Sequence, residues 1–206
     1  MRINEITRLG QWQRQRLGNI ASAATPEPEV GEETFANRVN DELVQHGYRC
    51  LGSGGYGTVY SNGRTVAKVF IHDPCYMAFA QWCQRHPHDP HLPRISRIQR
   101  FAEAAATSGI AYMERLEPLT HPRWEILAMQ NLISSLVGDV SVLEDPDAQV
   151  LVERLHRQHQ ALCETITRMT EFMRSRLASN QCFEDLVTSN VMLRGTTLVI
   201  VDPVAS

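Results

Sequence analysis

A glycine-rich segment has the residue types and spacing of a loop that holds phosphate groups. Glycine occupies positions 52, 54 and 57 of the stretch GSGGYGTVYSNGRTVAKVF, Val59 follows, and the next apolar run carries VAK, which ends at Lys68. Without side chains, glycines let backbone amides approach phosphate oxygens closely, and a lysine ammonium neutralises phosphate charge. The segment therefore predicts that the protein binds a nucleotide through its phosphates.

The residues after Gly57 distinguish two kinds of glycine loop. In a dinucleotide-binding fold the third glycine opens a helix, whereas TVYSNGRTVAKV alternates like two strands around Asn62-Gly63. That dipeptide is the strongest short signal for a hairpin with a type I′ turn. We therefore expect a two-stranded lid in which the ligand requires Gly54 and Gly57 more than the fold does. The alternative is a glycine-rich hairpin with a surface lysine.

Three polar residues near the end of the sequence could complete a site for phosphoryl transfer. Asp185 lies five residues before Asn190 in EDLVTSN, and Asp202 ends the strand-like run LVIVD. Asp185 could orient an attacking hydroxyl and accept its proton, while Asn190 and Asp202 could give oxygen ligands to Mg²⁺. Each acid alone would more simply be a loop cap or a solvated charge. The ordered set predicts phosphoryl transfer from ATP with Mg²⁺.

The apolar pattern along the chain predicts an α+β protein that can position these residues. Helical spacing marks residues 33–47, 74–85, 122–137 and 147–178, and alternation marks strands within 47–70, 94–101, 109–116 and 190–202. We expect three regions: an N-terminal segment with an acidic linker (1–33), a strand-rich region with a preceding helix (34–118), and a mainly helical region that ends in the catalytic hairpin (119–206).

Composition argues against several other classes of protein. The chain has 206 residues, of which 43% are hydrophobic, so a packed core is expected. Its 20 Lys and Arg against 23 Asp and Glu argue against a nucleic-acid or anionic-membrane surface. No run approaches the roughly 20 apolar residues of a membrane span. Five cysteines without a C-x-x-C pair indicate reduced thiols and a cytoplasmic location. The oligomeric state stays open.

The glycine loop, VAK, D-x4-N and the strand-terminal Asp follow the order of the protein-kinase signature. From about Gly47 onward the chain resembles the early serine/threonine kinases of T7-type bacteriophages, with YMAFAQWCQRHP after Lys68, then LPRISRIQR and SNVML…VDPV. The resemblance implies a minimal bilobal protein-kinase-like fold with a truncated, mainly helical C-terminal lobe. It also implies phosphorylation of host proteins in the bacterial cytoplasm during infection. Secreted bacterial effector kinases are the alternative source.

The resemblance further implies which residues contact ATP. Lys68 would contact the α- and β-phosphates and act with Asp185 in catalysis. Adenine would lie beside AYMERLEP, where Met113 flanks the pocket and the backbone from Glu114 to Leu116 pairs with the base. The expected nucleotide-binding residues are Gly52, Ser53, Gly54, Gly55, Tyr56, Gly57, Val59, Ala67, Lys68, Met113, Glu114 and Leu116.

One departure from the kinase pattern concerns the partner of Lys68. No Glu occurs between Lys68 and Glu103, so the helix after the lysine lacks the acidic residue that usually pairs with it. We expect Gln81 or Gln84 to hydrogen-bond the lysine instead, with Asp73 as a further substitute. The missing acid and the short C-terminal region leave two alternatives: a pseudokinase that binds a partner, and a phosphotransferase for small molecules.

Overall fold

The computed structural model describes residues 30–54, 57–100, 107–121, 123–178, 183–184 and 186–205. The chain divides into two units, Met1–Arg38 and Val39–Ser206, and helix α1 comprises Val30–Gln45. Within the second unit, Val39 and Leu43 of α1 are buried. The helix ends just before Gly47, whose φ of 79° is a backbone conformation that favours glycine. The candidate site lies entirely in the second unit.

A five-stranded antiparallel sheet holds the glycine-rich segment and the lysine. Its strand order is β1-β2-β3-β5-β4. The strands are β1 (Arg49–Gly54), β2 (Gly57–Ser61), β3 (Thr65–Phe70), β4 (Ile95–Arg100) and β5 (Gly109–Glu114). Together with the helices described below, this sheet confirms the predicted α+β class.

The turn between β2 and β3 differs from the predicted type I′ turn. Gly63 has a φ of 91°, but Asn62 has none of the positive φ that a type I′ turn needs at both central positions. Instead, the Asn62 side-chain oxygen accepts hydrogen bonds from the backbone amides of Arg64 (3.1 Å) and Thr65 (2.9 Å). The Asn62 amide donates a hydrogen bond to the Thr65 carbonyl (3.2 Å), so this Asx-type turn is centred on Gly63 and Arg64 and not on Asn62 and Gly63.

Helix α2 (Pro74–Arg85) follows the sheet lysine and is the best-specified helix in the sequence. Asp73 caps it by accepting a 2.8 Å hydrogen bond from the Tyr76 amide, and proline occupies its first turn. Its side chains are largely buried, since it packs against β4 and against the terminal strand β10 (Val204–Ala205). The predicted cap and the observed start of the helix agree.

The remaining helices form a layer around α3 (Trp124–Val137), which packs against α5 (Pro146–Gln158) and α6 (Gln160–Ala178). A short helix, α4 (Val140–Leu143), connects α3 to α5. The sequence pattern predicts one helix over 147–178, but the backbone breaks at His159, whose φ of −140° and ψ of 50° are not helical. No helix among the described residues is long and apolar enough to cross a membrane.

Short strands complete the fold and position the residues near its C-terminal end. The sheet β6-β8-β9 joins β6 (Glu117–Pro118) to the hairpin of β8 (Val191–Arg194) and β9 (Thr197–Ile200), and β7 (Phe183–Glu184) pairs with β10. The hairpin was predicted, while the two-residue strands β6, β7 and β10 were not. A continuous core links the sheet, α2, the helical layer and this hairpin.

The cysteines only partly match the expectation of reduced thiols. Cys50, Cys83 and Cys163 are free, but Cys75 in the first turn of α2 is disulfide-bonded. The fifth cysteine, Cys182, lies outside the described residues. Burial raises the pKa of the Cys163 thiol to about 11 and that of Cys83 well above its usual range.

Candidate functional site

Lys68 lies at the meeting point of the sheet and the C-terminal hairpin. It occupies the middle of β3, directly opposite Val59 of β2 and Ala111 of β5. Its side chain is only 13% exposed, and its ammonium donates a hydrogen bond to the Asp202 carboxylate. The fold therefore brings together two predicted site residues that are 134 positions apart in the sequence.

Lys68 is also the only lysine in the chain, because the other members of the 20 Lys and Arg residues are all arginines. An ammonium is a compact point charge on a flexible stem, whereas guanidinium is a broad planar fork, so the two cannot replace each other in a confined site. Composition alone contains this signal, which the motif does not. The single lysine of the chain therefore lies at the position where a side-chain cation contacts Asp202.

Asn190 and Asp202 lie on neighbouring ends of the β8–β9 hairpin. Asn190 ends a 3₁₀ turn (Thr188–Asn190) just before β8, and Asp202 follows β9. The Asn190 carbonyl accepts a 2.9 Å hydrogen bond from the amide of Val201, the residue next to Asp202. The backbone thus holds these two residues at adjacent ends of the hairpin.

The predicted base, Asp185, lies outside the described residues, but both of its neighbours are anchored. Glu184 pairs with Val204 of β10, two residues beyond Asp202. Leu186 is buried, and its carbonyl accepts a 2.8 Å hydrogen bond from the side-chain amide of Gln130 on α3. The two residues that flank Asp185 are therefore attached to β10 and to α3.

The donor set fits a magnesium ion that is held with a nucleotide. Among the described residues, no group of three or more His, Cys, Asp and Glu side chains could form an all-protein metal site. Mg²⁺ does not need one, because it commonly binds through one or two protein oxygen ligands and completes its shell with phosphate oxygens and water. Asn190 and Asp202 offer hard oxygen donors of that kind.

The glycines of the β1–β2 hairpin have different roles. A Cβ atom added at Gly54 or Gly52 would meet no heavy atom within 4 Å, whereas one added at Gly57 would lie 2.3 Å from the Val69 carbonyl oxygen. None of the three has a positive φ. The fold itself therefore requires glycine at position 57, since β3 already excludes a side chain there. Gly55 and Tyr56 lie outside the described residues.

Strand register corrects one predicted pocket residue. Successive side chains of a strand point to opposite faces, and directly paired residues share a face. Lys68 therefore shares its face with Val59 and Val66, and Val66 pairs with Met113. Ala67 is fully buried on the opposite face. Val66 replaces Ala67 as the residue that lies beside Lys68.

Glu114, at the end of β5, connects the sheet to the hairpin. Its carboxylate accepts hydrogen bonds from the Arg194 guanidinium and from the Arg94 amide, and its own amide donates a 3.3 Å bond to the Arg94 carbonyl. Partial burial would raise the pKa of Glu114, but the bonds from Arg194 and Arg94 outweigh it and lower that pKa. Because the Glu114 amide is already bonded, adenine would have to pair with the Glu114 carbonyl or with the backbone near Leu116, which is itself largely buried.

The partner of Lys68 on α2 is an aromatic ring and not the predicted glutamine. The Lys68 ammonium lies 3.6 Å from the centroid of the Tyr76 ring. No hydrogen bond among the described residues joins Lys68 to Gln81 or Gln84, and the Asp73 carboxylate caps the helix. The sequence predicts a polar partner for Lys68, whereas the structure places an aromatic ring there, which acts through its π-face.

Comparisons with known proteins assign no family to the chain. No protein-family model matches it, and no curated protein matches it significantly. The functional interpretation therefore depends on the residues and geometry of the site.

Proposed function

We propose that the protein is a magnesium- and ATP-dependent protein kinase with a minimal kinase-like fold. The observation that carries this proposal is the contact between Lys68 of an antiparallel sheet and Asp202, with the Asn190 backbone bonded to the residue that precedes that aspartate. A phosphate-binding lysine and two oxygen ligands for Mg²⁺ are the groups that phosphoryl transfer from ATP requires. The β1–β2 hairpin with its open Gly52 and Gly54 lies on the same sheet and leaves room for phosphates.

Each residue has a distinct chemical role in this proposal. ATP supplies the phosphoryl group, and Lys68 neutralises charge on its non-transferred phosphates. Asn190 and Asp202 would hold Mg²⁺, which would neutralise charge on the phosphates. Asp185 orients the hydroxyl of a serine or threonine and takes its proton as the phosphoryl group is transferred.

The arrangement of elements supports the same proposal. A five-stranded antiparallel sheet with one packed helix precedes a helical layer, and a catalytic hairpin follows that layer. From the resemblance to the early kinases of T7-type phages, we propose that the substrates are host proteins in the bacterial cytoplasm.

Transfer of phosphate to protein is the direct test. The purified protein is incubated with γ-labelled ATP, Mg²⁺ and a heat-treated bacterial lysate, whose own kinases are inactive. We expect label on serine or threonine of lysate proteins, little label with Asp185→Asn, and normal label with Asp147→Asn, a matched change at an exposed aspartate of α5. Label on a small molecule would indicate a different phosphotransferase. ATP binding without any transfer would indicate a pseudokinase, and either result would refute the proposal.

The single lysine permits a separate test of nucleotide binding. An acyl-phosphate derivative of ATP acylates amines close to its phosphates, and apart from the N-terminal amine the chain offers only Lys68. We expect mass spectrometry to find the acyl group on Lys68, with protection by excess ATP and Mg²⁺. Acylation that ATP does not reduce would show that Lys68 lies outside any nucleotide site.

A further inference from the structure

Tyr76 contacts Lys68 where a helix acid would otherwise be needed. Its ring centroid lies 3.6 Å from the Lys68 ammonium, and the sequence of α2, PCYMAFAQWCQR, contains no Asp or Glu. Tyr76 is fully buried and Lys68 is 13% exposed, so water hardly competes for this contact. A cation over an aromatic face gains most when both groups are desolvated in this way.

The ring of Tyr76 is held in place by other aromatic side chains. It meets the Phe70 ring edge-on at 5.1 Å between centroids and the Phe79 ring at 6.2 Å. Phe70 lies two residues beyond Lys68 on the same strand and is also fully buried. The position of the ring is therefore set by the core and does not depend on Lys68.

The hydroxyl of Tyr76 does not explain the presence of this residue. It is buried, and no hydrogen bond to it occurs among the described residues. Burial raises the pKa of Tyr76 well above its usual range, and the negative charge of Asp202 raises it further. The phenol therefore stays neutral, and the feature of Tyr76 that contacts Lys68 is the ring face.

We propose that the ring of Tyr76 positions Lys68 for the nucleotide and takes the place of an acidic helix residue; this rests on the proposed kinase function. If the Asp202 carboxylate held Mg²⁺, the metal would compete with Lys68 for it, and the ring would still contact the ammonium. A neutral ring fixes the ammonium without cancelling its charge, so the full charge faces the phosphates. An acid in the same position would hold the lysine and also reduce its net field at the phosphates.

The test uses the single lysine as a spectroscopic probe. Labelling the protein with ¹³C-lysine gives one set of lysine side-chain signals in an NMR spectrum, and a ring face 3.6 Å from the ammonium shifts the neighbouring methylene protons upfield. We expect this shift in the ligand-free wild type and in Tyr76→Phe, and its loss in Tyr76→Leu. Trp82→Leu is the matched control, because it removes a buried aromatic ring from the same helix whose ring contacts are with His86 and Phe172.

Nucleotide affinity gives the second readout, measured by calorimetry with a non-hydrolysable ATP analogue and Mg²⁺. We expect about tenfold weaker binding in Tyr76→Leu and about the wild-type affinity in Tyr76→Phe and Trp82→Leu. An unshifted lysine signal in the wild type, or weaker binding in Tyr76→Phe, overturns the proposal and remains measurable if Tyr76→Leu does not fold. Wild-type affinity in a folded Tyr76→Leu also overturns it. A shifted signal in a wild-type protein that binds no nucleotide overturns the proposed function.

Discussion

Replacing Gly54 and Gly57 separately should divide the roles of the glycine-rich hairpin. At Gly57 a Cβ would lie 2.3 Å from the Val69 carbonyl oxygen, where ordinary contact begins at 3.4 Å. Strands β2 and β3 would have to separate by about 1 Å, and overpacking of this kind costs roughly 1–3 kcal/mol. Because the clash is with backbone, we expect Gly57→Val to cost about 3 kcal/mol, which lowers the Tm by about 6–12 °C in a chain of this size.

At Gly54 the same substitution should affect the ligand instead. No heavy atom lies within 4 Å of an added Cβ, and the φ is not positive. We expect Gly54→Val to change the free energy of unfolding by less than about 0.5 kcal/mol. The added methyl groups should weaken the binding of an ATP analogue about tenfold, which is about 1.4 kcal/mol.

Thermal unfolding and calorimetry with the ATP analogue measure both effects on the same samples. Gly109→Val is the control for a clash between strands away from the hairpin, since its Cβ would lie 2.6 Å from the Gln99 carbonyl oxygen. It should lower the Tm as Gly57→Val does. A Gly57→Val protein with the wild-type Tm would refute the steric argument, and full nucleotide affinity in Gly54→Val would refute the phosphate-binding role of the hairpin.

Three further predictions concern catalysis, pH and thiol reactivity. Asp185→Asn and Asp202→Asn should each lower phosphoryl transfer by about 10²–10⁴-fold, and the double variant should be scarcely slower because the groups act together; additive losses would contradict this. The lowered pKa of Glu114 adds stability at neutral pH that is lost as the pH falls through that pKa, so denaturant titrations should show wild type more stable than Glu114→Gln at pH 7 and the difference shrinking in acid. A constant difference would argue against this ion pair. Iodoacetamide at pH 8 should modify exposed Cys50 but not buried Cys163, whose pKa is about 11, and peptide mapping would detect any exception.

Local signals in the sequence predicted much of the framework. Asp73-Pro74 specified the start of α2 because a side-chain cap and a first-turn proline act within a few residues. The pairing of Asn190 with the strand before Asp202 was predictable because a short hairpin must bring its two ends together. Two-residue strands such as β7 and β10 have no pattern of their own, and tertiary contacts alone define them.

The errors in the predicted site arose from geometry across elements. Ala67 and Lys68 are adjacent in one strand, so their side chains point to opposite faces of the sheet. A motif does not show which face each residue occupies. Gln81 and Gln84 were predicted as partners of Lys68 because their side chains can form hydrogen bonds. In the structure, α2 instead packs the ring of Tyr76 over the lysine. The clash at Gly57 depends on the distance between two paired strands, which no single segment of sequence contains.

The hydrogen bonds of the Arg194 guanidinium affect which parts of the protein unfold together. It donates to the Pro90 carbonyl (2.7 Å), the Leu92 carbonyl (2.9 Å) and the Glu114 carboxylate, so one side chain crosslinks three segments that are distant in sequence. Loss of any one segment would leave charged or polar groups without bonds, which opposes separate fraying of β5 and β8. These strands should therefore behave as one cooperative unit, and their amides should exchange hydrogen at a common free energy of opening.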